Sequence, residues 1–139
     1  MSQPIRFHEF LLSNAPYLSA GVLLTFLSSF GQTFFISVFA GQIQTEFDLS
    51  HAGWGGLYMV GTTASALLMV AAGGLSDIMR VRHLGAFVLC GLSAACFLMA
   101  LNHSYWVLPL SIFALRFFGQ GMSTHLAVVA MARWFVAAR

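Results

Sequence analysis

Lysine is absent from this chain, and acidic residues number only 4 in 139. Charged residues make up 7% of the sequence, against roughly 25% in soluble domains. With hydrophobic residues at 59%, a soluble fold of this size could not cover its surface, which leaves an integral membrane protein. The net charge of +2 is too small to point to a nucleic-acid partner. Cysteine is nearly absent too. Cys90 and Cys96 share one apolar segment, and a six-residue spacing sets them about 240° apart around a helix. They cannot pair with each other, and they suggest no metal or redox site. No acidic residue falls inside an apolar run: Glu9, Glu46, Asp48 and Asp77 all lie at edges or in breaks. With no HExxH, nucleophile elbow or phosphate loop, an enzyme is not expected. His51 and His103 belong to one surface and His8 and His83 to the other, so no histidine pair at matching depth offers a haem site, and no cofactor is expected.

What is present is length of apolar run. Four segments can each cross about 30 Å of hydrocarbon: Ala15 to Ile43, Gly53 to Leu75, Leu84 to Leu101 and Tyr105 to Arg133. Their hydrophobicity is continuous rather than alternating, which predicts helices and excludes barrel strands. The stretch Met1–Asn14 mixes polar and apolar residues and is read as a cytoplasmic N-terminal segment. The run after it is too long for a signal peptide. Short polar breaks force neighbouring helices to be antiparallel, and Ser50 can cap the second. Arg6, Arg80, Arg82, Arg133 and Arg139 then fall on one side, opposite Glu46 and Asp48. The positive-inside rule places both termini and the second loop in the cytoplasm of a cell with this chain in its inner membrane.

The sixth arginine is the exception. Arg116 sits about 16 Å into the fourth segment, where a charge costs at least ~2.5–3.5 kcal/mol. A chain keeps such a residue where it borders a watery cavity or a partner inside a bundle. Gln120 lies one turn on and Thr124 roughly on the same stripe. This stripe reads as an inward-facing site for an anionic substrate, or for tuning a proton-carrying carboxylate. The alternative is a structural arginine bonded to carbonyls of neighbouring helices. In the first segment, Ser28-Ser29-Phe30-Gly31-Gln32-Thr33 interrupts the run. Gln32 is expected either to line a cavity or to hydrogen-bond a neighbouring helix. Gly61 and Ser65 form a small-xxx-small pair suited to tight packing. The third segment is the least polar and is expected to face lipid. His125 is expected on the face opposite Arg116, as a proton relay or a silent hydrogen-bonded side chain.

At the end of the second segment, Gly73-Gly74-Leu75-Ser76-Asp77, followed by Arg80 and Arg82, resembles the loop signature of the major facilitator superfamily, Gly-x-x-x-Asp-basic-x-Gly-basic-basic. Gly73, Asp77 and Arg82 match; Ile78, Arg80 and Val81 depart from it. Arg116-Phe-Phe-Gly-Gln-Gly121 resembles the family's fourth-helix motif, and Arg133-Trp134-Phe135 an aromatic-basic exit common in bacterial members. The resemblance implies a fold in which these four helices, N-in and C-in, are the first part of a twelve-helix secondary transporter. It further implies that helices one and four line the solute path, which suits Gln32, Arg116, Gln120 and Thr124. By the same resemblance, Gly73, Asp77 and Arg82 form a conformational gate loop on the cytoplasmic side. The expected function is alternating-access transport of a small solute, with a lean toward an organic anion. The expected partners are that substrate, a coupling proton, the lipid bilayer and the remaining helices of a full-length carrier. The 139 residues amount to a third of that architecture and are expected to be a fragment inactive alone. The competing expectation is a stand-alone four-helix oligomeric scaffold or small exporter.

Overall fold

The structure, a computed structural model, describes residues 7–136. Arg6 and Arg139 of the charge argument lie outside the described residues. The described residues are all-helical: α1 (Phe7–Ser13), α2 (Ala15–Ser28), α3 (Thr33–Glu46), α4 (His51–Ala72), α5 (Leu75–Ile78), α6 (Val81–Ala100), α7 (Leu108–Ala114) and α8 (Thr124–Val136). Three stretches are long and apolar enough to cross a membrane: Ala15–Glu46, His51–Ile78 and Val81–Ala100. Their large side chains point outward. Val22, Phe26, Val38, Leu67, Val70 and Phe97 are all exposed, as suits helices long and apolar enough to cross a membrane. Tyr17 packs at a tilt against Trp134 at one end of the bundle, with ring centroids 5.1 Å apart. Trp54, Tyr105 and Trp106 supply aromatics at the other end, as interfacial belts do.

The first stretch is not one continuous helix as expected. It breaks at a 3-10 turn, Ser29–Gly31, followed by Gln32 in an extended conformation (φ −76°, ψ 149°). Ser28 donates back to the Thr25 carbonyl at 2.6 Å, and such back-bonding competes with the helical ladder. Gln32 restarts it, its carbonyl accepting from the Phe35 and Ile36 N–H groups. The restarted helix runs past Ile43 to Glu46. It closes through Asp48 in the left-handed region (φ 50°), with the Leu49 N–H bonded to the Gln44 carbonyl at 2.8 Å, a helix stop that an aspartate tolerates.

The fourth stretch departs further. Between α7 and α8, Leu115–Ser123 winds as a π-helix, and Ser123 donates to the Phe118 carbonyl five residues back. This stretch is the hub of the bundle. Leu108, Ser111, Ile112, Leu115, Met122 and Leu126 are buried, and its parts pack against α2, α4 and α6. Helix association in lipid relies on close approach rather than on expelling water. Two crossings supply it. Gly61 of α4 meets Ile112 and the Pro109 carbonyl, with Ser65 buried one turn on, so the small pair does pack tightly. Gly31 lies backbone to backbone on Gly119. The third stretch, α6, buries one face through Leu84, Val88, Leu92 and Ala95 and leaves an apolar face with Phe87 and Phe97 exposed.

Candidate functional site

The break in the first stretch and the π-helix in the fourth touch each other, and Arg116 stands at their contact. In the restarted ladder the Phe35 N–H turns to Gln32, leaving the Gly31 carbonyl outside it. The Arg116 Nη1 donates to that carbonyl at 3.3 Å and to the Thr33 Oγ1 at 2.9 Å. The Tyr58 hydroxyl donates to the same Thr33 oxygen at 3.1 Å. The guanidinium carbon lies 5.7 Å from the centre of the Tyr58 ring, within cation–π range. One half-buried cation thus ties together the first, second and fourth stretches.

The donor count gives the site its chemistry. A guanidinium has five N–H donors, and Nη1 is committed to the bend. Nε and Nη2 have no hydrogen-bond partner among the described residues, and no carboxylate lies within ion-pair distance of the group. Thr33 accepts from Arg116 and Tyr58, which occupies both lone pairs of its hydroxyl. Its own proton is without an acceptor among the described residues. The cluster therefore presents unfilled donors and a positive charge, and the open edge of the guanidinium has the fork geometry that matches a carboxylate.

The other residues singled out by sequence are not all drawn into this cluster. Gln32 lies between Gly31 and Thr33, but it contributes its backbone cap and no side-chain hydrogen bond. Gln120 abuts the bend through its backbone nitrogen, while its Oε1 is buried without a partner, as is the Thr124 Oγ1. Neither bonds to Arg116. Thr33 and Tyr58 are the partners that the sequence did not single out. Thr33 closes the polar interruption Ser28–Thr33, which was the only signal for it.

At the opposite end of the bundle, α5 is pinned to α8 at two points. Asp77 pairs with Arg133 at 3.2 Å, not with Arg80 or Arg82 beside it in sequence. Arg82 is exposed, and Gly73 ends α4 with its N–H on the Met69 carbonyl. Ser76, 2% exposed, donates to the Gly73 carbonyl at 2.9 Å and lies 3.2 Å from the His125 Nε2. With the serine proton on Gly73, Nε2 would be the donor in this contact. His125 is thereby a bonded anchor between α8 and α5. No protein-family description, curated protein or solved structure matches the chain.

Proposed function

We propose that this chain is the N-terminal part of a secondary transporter of the major facilitator type, with four membrane spans, both termini cytoplasmic, in a bacterial inner membrane. Residues 105–136 are the fourth span in this reading, shielded from lipid by the other three. The solute is a small organic anion, met by the open edge of Arg116 and by the Thr33 hydroxyl. The observation that supports the reading is a half-buried guanidinium inside the helical bundle, with unfilled donors and no carboxylate partner among the described residues. A purely structural arginine would be expected to spend its donors on protein acceptors, because each unmatched one is costly in hydrocarbon. Gly73, Asp77 and Arg82 serve as the gate loop, with the Asp77–Arg133 pair holding it to the fourth span.

The test is uptake of labelled monocarboxylates by cells expressing the complete reading frame. Arg116→Ala should lower uptake by at least about tenfold, the equivalent of ~1.4 kcal/mol. Arg116→Lys should retain charge but lose the fork, and fall between the two. Undiminished uptake in Arg116→Ala would remove the proposal.

A further inference from the structure

The bend at Gly31 has a second consequence, away from Arg116. Past the bend, α3 packs mainly on the bend itself and on α4, while its Ile36 shares a buried cluster with Leu92 and Ala95 of α6. Between them runs an apolar groove of about 440 Å³, walled by Phe30, Phe35, Phe39, Cys96, Met99 and Leu108. It continues into a second hollow of about 420 Å³ that reaches Leu89 and Leu92. Phe30, Cys96 and Ala100 line both. From Asn102 to Leu89 the groove spans roughly 20 Å along α6 at 1.5 Å per residue, enough for one leaflet's share of a ~30 Å hydrocarbon core.

Its polar groups gather at one end. Gln42, Glu46 and Asn102 border that mouth, and the deep end offers only Ser93. Asn102 is 8% exposed. Its Oδ1 accepts from the Ser104 N–H at 2.8 Å, but its Nδ2 is buried without a partner. The mouth is acidic, because Glu46 borders it and none of the described arginines does. Its cation is His103, 3.7 Å from Glu46 and charged only when protonated.

We propose that this groove binds a membrane phospholipid with an amine-bearing headgroup, phosphatidylethanolamine by chemistry. One acyl chain lies between Phe30 and Cys96, the ester carbonyl takes the Asn102 Nδ2 donor, and the amine faces Glu46. An anionic lipid meets the same carboxylate and is disfavoured. The inference rests on the membrane fold alone and is independent of transport.

The test uses the 139-residue chain in nanodiscs, with phosphatidylethanolamine or phosphatidylglycerol carrying a photoreactive diazirine in the acyl chain. Crosslinked positions are mapped by mass spectrometry. With the ethanolamine lipid, labelling at Phe30 and Cys96 is expected to exceed that at Val22 and Val70 by about fivefold, or ~1 kcal/mol. Ala100→Phe, which fills the junction of the two hollows, should abolish the excess and leave Val22 and Val70 labelling unchanged. Glu46→Gln, exposed and outside the packed core, should keep the labelling but remove the preference over phosphatidylglycerol. Labelling no higher in the groove than at Val22 and Val70, labelling indifferent to Ala100→Phe, or crosslinks from Phe39 to a second copy of the chain would each overturn the proposal.

Discussion

Gly31→Ala tests whether the contact between the two irregular ladders holds the bundle together. A methyl at Gly31 would lie 2.6 Å from the Gly119 Cα and 2.7 Å from the Gln120 nitrogen, and would press on the Leu115 carbonyl as well. These are backbone atoms, so no side chain can swing aside. Restoring ordinary contact, 3.4 Å or more, requires the two backbones to part by about 0.8 Å at Gly119 and by more at the Leu115 carbonyl. That gap spreads along the crossing and forfeits part of every ~0.1–0.2 kcal/mol atom contact in it. Overpacking of this kind costs ~1–3 kcal/mol. Gly41→Ala is the matched control. Its methyl would meet nothing within 4 Å, and inside α3 it should gain up to ~1 kcal/mol of helix propensity. The two substitutions should therefore differ by roughly 2–4 kcal/mol. The assay is reversible unfolding of the detergent-solubilised chain by sodium dodecyl sulfate, followed by far-ultraviolet circular dichroism. Unfolding free energies for Gly31→Ala and Gly41→Ala within ~0.5 kcal/mol of each other would refute the close-contact argument.

The same unfolding assay reads three further sites. Thr33→Val removes the shared acceptor of Arg116 and Tyr58 and should cost about 1–3 kcal/mol. Tyr58→Phe, which keeps the ring under the guanidinium, should cost only about 0.6 kcal/mol; the reverse ranking would show that Thr33 is not the hub. A double-mutant cycle of Ser76→Ala with His125→Phe should return a coupling of about 0.5–1.7 kcal/mol, and nitrogen NMR of His125 should find the proton on Nε2. Zero coupling would dismiss the anchor. Asp77→Asn breaks an exposed pair with Arg133, so its cost should stay below about 1 kcal/mol and fade in 1 M salt. A larger, salt-insensitive loss would mean that the loop is held by something else.

The membrane class, the three long spans, the Ser50 cap on α4 with its oxygen accepting from the Gly53 N–H, and the tight packing of Gly61 and Ser65 were all legible in the sequence. Each is a property of one segment, recorded in its own residues. The break at Gly31 and the π-helix around Arg116 were not. Hydropathy measures the transfer of side chains, and it is blind to which carbonyl a backbone N–H chooses. Gly31 and Gln32 marked only an interruption, whether packing site or bend. Deciding required the opposing Gly119, which lies 88 positions along the chain. Arg116 shows the same division. Its burial cost was evident from one segment alone, but its resolution depends on Thr33 and Tyr58, drawn from two other spans. The asymmetry follows from the physics of a buried charge: the penalty is local and the compensation is tertiary. The carbonyl that Arg116 satisfies exists only because the first span breaks at that depth. Restoring a continuous first helix would therefore return the Gly31 carbonyl to the ladder and deprive the guanidinium of one acceptor, so the bend and the charge are two halves of one structural solution.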